Sequence, residues 1–480
     1  MNTSTDRETS RKRVIQKAHE LGWHLPKNLH DRVTEQIYGE AAQIASHCVQ
    51  SHGKSSRLAW QQRVDRVLTH PVTAFPVMIA VLGAVLWLTI SGANVPSAML
   101  ASILVDDGRA LLTELFQYLG APLWLKGIVV DGMYLATAWV ISVMLPPMAI
   151  FFPCFTILED LGFLPRVAFN LDRMFQAVGA HGKQALTMAM GLGCNAAGVV
   201  AARVIDSPRE RLIAIITNNF SICNGRWPTL ILLSSVFIGT AVPSEWRGVV
   251  VVGSVLLVTL LGFGLTFLSS WMLARTVLRG EATSFSLELP PYRPPNILRT
   301  LYTSLIDRTL IVLWRAIVFA MPAGAVIWLV SNLTVGDVSL AQWLIEILDS
   351  PAQMMGLTGV ILLAYVVAIP ANEIVIPTIL MFTVLVGGTA SQSGVGEGAG
   401  VMFEMGNEGI HALFVQAGWS MLTVVSLMLF ALCHNPCSTT IYTIYRETRS
   451  LKWTALATFL PLGFGVVICT TVATIWRFFV

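Results

Sequence analysis

The chain has 480 residues, of which 54% are hydrophobic and only 12% charged; an ordinary soluble domain is about a quarter charged, so a soluble globular protein is excluded and a polytopic membrane protein is indicated. Its formal net charge of +3 is small and concentrated in a few loops, which membrane topology alone requires and which points to no nucleic-acid partner. Seven cysteines, six of them in or beside apolar runs, read as free thiols rather than an extracellular disulfide framework.

The first 74 residues form a polar arm without the apolar core of a signal peptide, so the N-terminus is expected in the cytoplasm. Within the arm, 31–50 reads as a helix with apolar positions Val33, Ile37, Ala41, Ile44 and Cys48. Gly53-Lys54-Ser55 imitates the end of a phosphate-binding loop. The glycine required five residues earlier is Cys48 and no strand precedes it, so no nucleotide site and no enzyme activity are expected.

Runs able to cross a bilayer, about 20 apolar residues each, lie near 75–91, 133–158, 183–202, 211–239, 248–273, 309–331, 356–386, 410–432 and 453–476. The expected fold is all-α and polytopic, with about 8–10 membrane segments. Lys and Arg sort the loops: eleven lie in the arm, and others at Arg203, Arg209 and Arg211, at Arg275 through Arg308, and at Arg446, Arg449 and Lys452, all expected to be cytoplasmic. The stretches 332–355 and 387–409 have none and read as external. Because 356–386 then begins and ends on one side, with Pro370, Asn372 and Glu373 in its middle, it is expected to enter and come back, its break facing protein or a watery cavity.

Aligning Cys194 with Cys437 also matches Arg203 with Arg446, Ser207 with Ser450 and Arg209 with Lys452, which suggests two related modules. Upstream, each copy is expected to carry a Pro-broken apolar span before an acid, with Pro146, Pro147 and Pro153 before Glu159 and Pro370 before Glu373. Since both basic loops look cytoplasmic, parallel repeats are expected. The modules are placed at 75–275 and 309–480, after an arm at 1–74 and joined by a Pro-rich cytoplasmic linker at 276–308. Transporters place substrate where such repeats meet, on broken helices whose freed carbonyls can hold cations.

The polar groups within the apolar runs are thiols, amides and carboxylates, a set that suits a first-row transition metal over Mg²⁺ or Ca²⁺. Cys194 in Gly-x-Gly-Cys-Asn, Cys437 after Pro436, and Glu373 in its apolar stretch lead the candidates, followed by Cys223, Asn195, Asn372, Glu159 and His434. Each has a bland alternative. Cys154, Cys433 and Cys469 read as packing, Glu373 could be a structural ion pair with Arg226, His434 could simply sit at an interface, and Glu159 shares a charge-rich segment with Arg166 and Asp172. The acidic 387–409 stretch reads as a flexible loop that could gather cations at an outer mouth.

The runs ILEDLGFLPRVAFNLDRMF (157–175), GLGCNAAGVVAARVIDSPRERLIAIITNNFSICNGR (191–226), PANEIVIP (370–377) and HNPCSTTIYTIYRETRSLKW (434–453) resemble the membrane region of the prokaryotic ferrous-iron transporter B family of the Feo system. The resemblance implies two gate modules and inward Fe²⁺ transport across the cytoplasmic membrane, with Fe²⁺ as cargo and no permanently bound cofactor. Family gate cysteines correspond to Cys194 and Cys437, with Cys223 a further candidate, although Ile222 stands where a proline is expected. The family usually begins with a GTP-binding domain, while 31–50 here resembles only the connector that follows it. That implies a separate small GTPase chain and small accessory Feo proteins as partners beside the lipid bilayer, and leaves a homo-oligomer open. The alternatives are a nucleoside or organic-solute carrier of related gate architecture, another divalent-metal transporter for Mn²⁺ or Zn²⁺, and a non-transporting scaffold.

Overall fold

The computed structural model describes residues 17, 29–48, 56–243, 245–279, 296–335, 338–387 and 407–479. The Gly53-Lys54-Ser55 tripeptide, residues 280–295 of the Pro-rich linker and nearly all of the acidic 387–409 stretch lie outside them. Two compact units divide the chain, the arm to Arg66 and the region from Val67 onward. In the arm, the expected helix forms as α1 (Leu29–Cys48) and is followed by α2 (Ser56–Thr69). Val33, Ile37 and Ile44 of α1 are exposed.

The second unit is helical, as its apolar patterning requires; among the described residues its strands are one two-residue antiparallel pair, Thr334–Val335 with Val338–Ser339. Among the described residues six helices are long and apolar enough to cross a bilayer, or seven if a pair bent by 110° counts as one span. The first, α3 (Pro71–Ala101), starts on His70, whose Nδ1 accepts the Val72 N–H at 3.2 Å. It runs on through a π-helical stretch to Tyr118, 47 residues from Val72, about 70 Å and so well beyond a hydrocarbon core. Its return leg ends in α4 (Leu135–Asp160), which Pro146, Pro147 and Pro153 do not break, against expectation. Packed neighbours let a membrane helix tolerate the lost donors.

One of the expected spans does not cross, and another crosses only with a break. The 183–202 run is a hairpin of α6 (Gln184–Gly193) and α7 (Asn195–Ala201), after the amphipathic α5 (Phe163–Ala177). A ten-residue helix is about 15 Å long, half a bilayer core. Lys183 Nζ donates to Val204 O at 3.0 Å and Asp206 at 2.9 Å, so both ends emerge on one face. The 211–239 run is a crossing span broken between α8 (Pro208–Thr217) and α9 (Trp227–Leu233), and α10 (Arg247–Arg275) returns.

The second half repeats this order. A span, α11 (Ile311–Asn332), leads to the amphipathic α12 (Leu340–Met354) and a hairpin of α13 (Gly359–Val367) and α14 (Val375–Gly387), which bears out the in-and-back expectation. After a short helix, α15 (Asn407–Gln416), a broken span of α16 (Met421–Cys433) and α17 (Ser438–Thr448) precedes the final span, α18 (Leu451–Phe479).

The repeat is real, but its register and symmetry differ from expectation. Asp172 Oδ1 accepts the Gly182 N–H at 2.9 Å and Oδ2 the Gln176 amide at 2.6 Å. Asp349 does the same with Gly359 at 3.0 Å and Gln353 at 2.6 Å. At the same constant spacing Gly179 (φ 78°) matches Gly356 (φ 72°), a left-handed turn that favours glycine. Cys194 (φ −152°, ψ 122°) likewise matches Ala371 (φ −149°, ψ 118°), not Cys437.

The two hairpins enter from opposite faces. Arg203, at the base of the first, forks onto Glu447 at the end of α17. From that face α18 crosses the unit, and near its far end Arg477 donates to the Gln353 carbonyl beside the entry to the second hairpin. The repeats are therefore inverted. Both basic loops do share a face, but one follows a returning hairpin and the other a completed span, and pairing them made the repeats look parallel.

Candidate functional site

Two hairpin tips and two span breaks meet in the middle of the second unit. The first tip is Gly193-Cys194-Asn195, where the chain turns extended at Cys194 and a Cβ at residue 193 would strike the Phe151 ring. The second is Pro370 to Glu373, where proline supplies no backbone donor. Each tip is tied to the break in its own half: Asn224 N donates to Gly193 O at 3.1 Å and Ser438 N to Ile369 O at 2.9 Å.

Together these four segments line a cavity of about 30 Å³ that presents Cys194, Asn195, Cys223, Asn372, Glu373, Cys437 and Thr440. Asn372 Nδ2 lies 4.0 Å from Cys223 Sγ, and Cys437 Sγ 3.3 Å from Thr440 Oγ1. Asn195 is 3% exposed; with its amide turned to suit its neighbours, Nδ2 donates to Ser221 O and Gly191 O, both at 3.1 Å. Gly225 makes room for the acid, since a Cβ there would sit 2.5 Å from Glu373 Oε1. Such a volume holds one or two waters or an ion of that size, far below the roughly 300 Å³ at which small-molecule pockets begin.

The carbonyls freed by the breaks are not left for a cation, contrary to expectation. Gly193 O and Ile369 O are taken by the tip ties. Arg226, 1% exposed, donates Nη1 to Asn219 O at 2.8 Å and Leu432 O at 3.0 Å, and Nη2 to His434 O at 3.1 Å. It thus clamps the two span breaks to each other and is not the counterion of Glu373. Side chains are what face the cavity: three thiols, one carboxylate and the amides. Among the described residues, no three of His, Cys, Asp and Glu converge into a closed metal-holding group. The arrangement suits brief contact better than sequestration.

Six of the eight candidate residues come together here; two do not. His434 is buried behind the cavity with Nδ1 2.9 Å from Ala431 O and Nε2 3.1 Å from Asn372 Oδ1, so both ring nitrogens are engaged and it positions Asn372. Glu159 is exposed at the C-terminal end of α4, away from the cavity. Sequence reading missed Thr440 and the role of Gly225. The signal for the second was present, a glycine directly beside Cys223-Asn224 in an apolar span.

Residues 141–237 match the family described as "Gate: Nucleoside recognition", and residues 255–307 the family described as "Ferrous iron transport protein B C terminus". The chain is 27% identical over 454 residues to the Fe(2+) transporter FeoB of Staphylococcus aureus (strain COL), covering 91% of this chain and 64% of that protein. It is 27% identical over 403 residues to the Synechocystis protein of the same name, 83% of this chain and 60% of that one. To the Escherichia coli (strain K12) Fe(2+) transporter FeoB it is 31% identical over 274 residues, 56% and 32% of the respective chains. No solved structure matches. The chain therefore spans somewhat under two thirds of the length of the first of these relatives.

Proposed function

Given that this chain belongs to the ferrous-iron transporter B family, we propose that it carries Fe²⁺ across a bilayer through the cavity between the hairpin tips. The observation that carries this reading is the convergence of four backbone breaks, which brings Cys194, Cys223, Cys437 and Glu373 onto one ion-sized space in a membrane region. A carboxylate at such a depth with no ion pair among the described residues is by default functional. Thiolate and carboxylate replace part of the hydration shell of a borderline-soft divalent ion, and their small number lets the ion leave. Asn195 and Asn372 orient the two tips, and His434 holds Asn372.

The matched gate family bears the words "Nucleoside recognition", which favours a second reading, a nucleoside carrier. A cavity of about 30 Å³ supports an ion instead. The test is anaerobic Fe²⁺ influx into liposomes containing the full chain, beside its Cys194→Ser, Cys437→Ser variant and with excess nucleoside as competitor. The expected result is influx that the double variant loses and nucleoside leaves unchanged. Influx retained by a folded double variant, or blocked by nucleoside, would overturn the proposal. Influx from the chain alone would make any GTPase partner a regulator rather than the motor.

A further inference from the structure

Between the cavity and the basic face, α6 carries a polar stripe that its packing does not need. Gln184, Thr187 and Gly191 recur at helical spacing and lead to Asn195 at the tip. Beside them, at the end of α8 and the turn after it, stand Thr217, Asn218 and Ser221. All the polar members are buried, Gln184 and Asn218 at 0% exposure and Ser221 at 1%.

Their hydrogen bonding is one-sided. Gln184 Nε2 donates to Thr217 Oγ1 at 2.8 Å and Ser270 Oγ at 3.2 Å, and Asn218 Nδ2 donates to Asn195 O at 3.0 Å. Gln184 Oε1, Asn218 Oδ1 and Ser221 Oγ find no partner among the described residues. With the amide donors spent and the acceptors left over, each such buried oxygen destabilises the fold unless something meets it. Two glycines keep the oxygens clear: a Cβ on Gly191 would lie 2.8 Å from Asn218 Oδ1 and 3.2 Å from Ser221 Oγ, and one on Gly198 would lie 2.5 Å from Asn218 Oδ1. Asn218 Oδ1 and Ser221 Oγ thus flank a single spot on α6, one helical turn from the tip.

We propose that this buried oxygen column is the leg of the cation path between the cavity and the basic face, the ion stepping from thiol and carboxylate onto the Ser221, Asn218 and Gln184 oxygens. Neutral oxygens bind a divalent cation more weakly than thiolate does, which favours onward movement over capture. The inference rests on the reading of the cavity as a cation site.

Gln184→Glu and Ser221→Ala test it in the full-length chain. Anaerobic Fe²⁺ influx is measured in liposomes, and Co²⁺ binding at the cavity is followed in detergent by its thiolate-to-cobalt absorption. Gln184→Glu keeps the shape, since the Thr217 and Ser270 hydroxyls can turn to donate to the new carboxylate. The added charge holds the ion, so KM and kcat for influx both fall, by about threefold or more, while the Co²⁺ band stays; a merely structural role would not lower KM. Ser221→Ala removes an acceptor and lowers kcat about tenfold with the band again intact. Influx kinetics equal to those of the unsubstituted chain in both variants would overturn the column. Failure of the underlying reading looks different: the unsubstituted chain then shows neither influx nor a thiolate band.

Discussion

Replacing Arg226 by Met separates two accounts of this buried arginine, as a clamp on backbone carbonyls or as the ion-pair partner of Glu373. The guanidinium makes three bonds to backbone carbonyls, those of Asn219, Leu432 and His434, while its own Nε finds no partner among the described residues. Removing it leaves three buried acceptors at about 1–3 kcal/mol each and recovers part of the cost of burying a charge. The net loss expected is about 3–5 kcal/mol, or about 3–5 °C in melting temperature for a chain of this size. Thermal unfolding in detergent, followed by exposure of the buried thiols, measures it. Repeating the measurement in a Glu373→Gln background gives the coupling between the two residues. A carbonyl clamp predicts additive effects, within about 0.5 kcal/mol. An ion pair predicts that Glu373→Gln offsets much of the Arg226→Met loss, because each charge is then stranded without the other; that result would refute the clamp.

Asp172→Asn and Asp349→Asn should lower the melting temperature by similar amounts, each weakening a charged cap worth about 1 kcal/mol at equivalent hairpin bases; a large effect at one site and none at the other would break the equivalence. Burial holds His181, at the base of the first hairpin, below its usual pKa of 6.5, with Glu210, Asp172 and Asp206 pulling the other way and Lys183 adding to the depression. As pH falls below about 6.5, the unfolded chain takes a proton that the folded one refuses, so stability present above that pH declines until the folded-state value is passed. His181→Gln should flatten the dependence of thermal stability on pH just below 6.5. Asp172, raised mainly by burial, acts with the opposite sign in the carboxylate range and leaves that window to the histidine.

The membrane character, most of the spans and six of the cavity residues are legible in the sequence because they rest on composition and on polar groups misplaced in apolar runs. The 356–386 hairpin is legible too, since charge-poor flanks on both sides forbid a simple crossing. Its counterpart at 183–202 is not: Lys183 and Arg203 bound it on both sides, yet its length alone satisfies a span. The repeat register was lost because matching Cys194 with Cys437 rewards a shared residue type. The equivalence lies in Asp172, Gln176, Gly179 and Gly182 against Asp349, Gln353, Gly356 and Gly359, residues that shape a hairpin entry and carry no evident chemistry. Arg226 pairs with carbonyls that have no sequence signature, so only coordinates could separate it from Glu373.

The inverted frame treats the two sides of the membrane alike, but its decoration does not. Where the hairpin from the basic face offers a thiol at Cys194, the opposing hairpin has Ala371; where the opposing one offers the Glu373 carboxylate, the first has Ala196 at the equivalent position. The scaffold is thus near-symmetric while its chemistry is not: a soft donor stands on one tip and a hard one on the other.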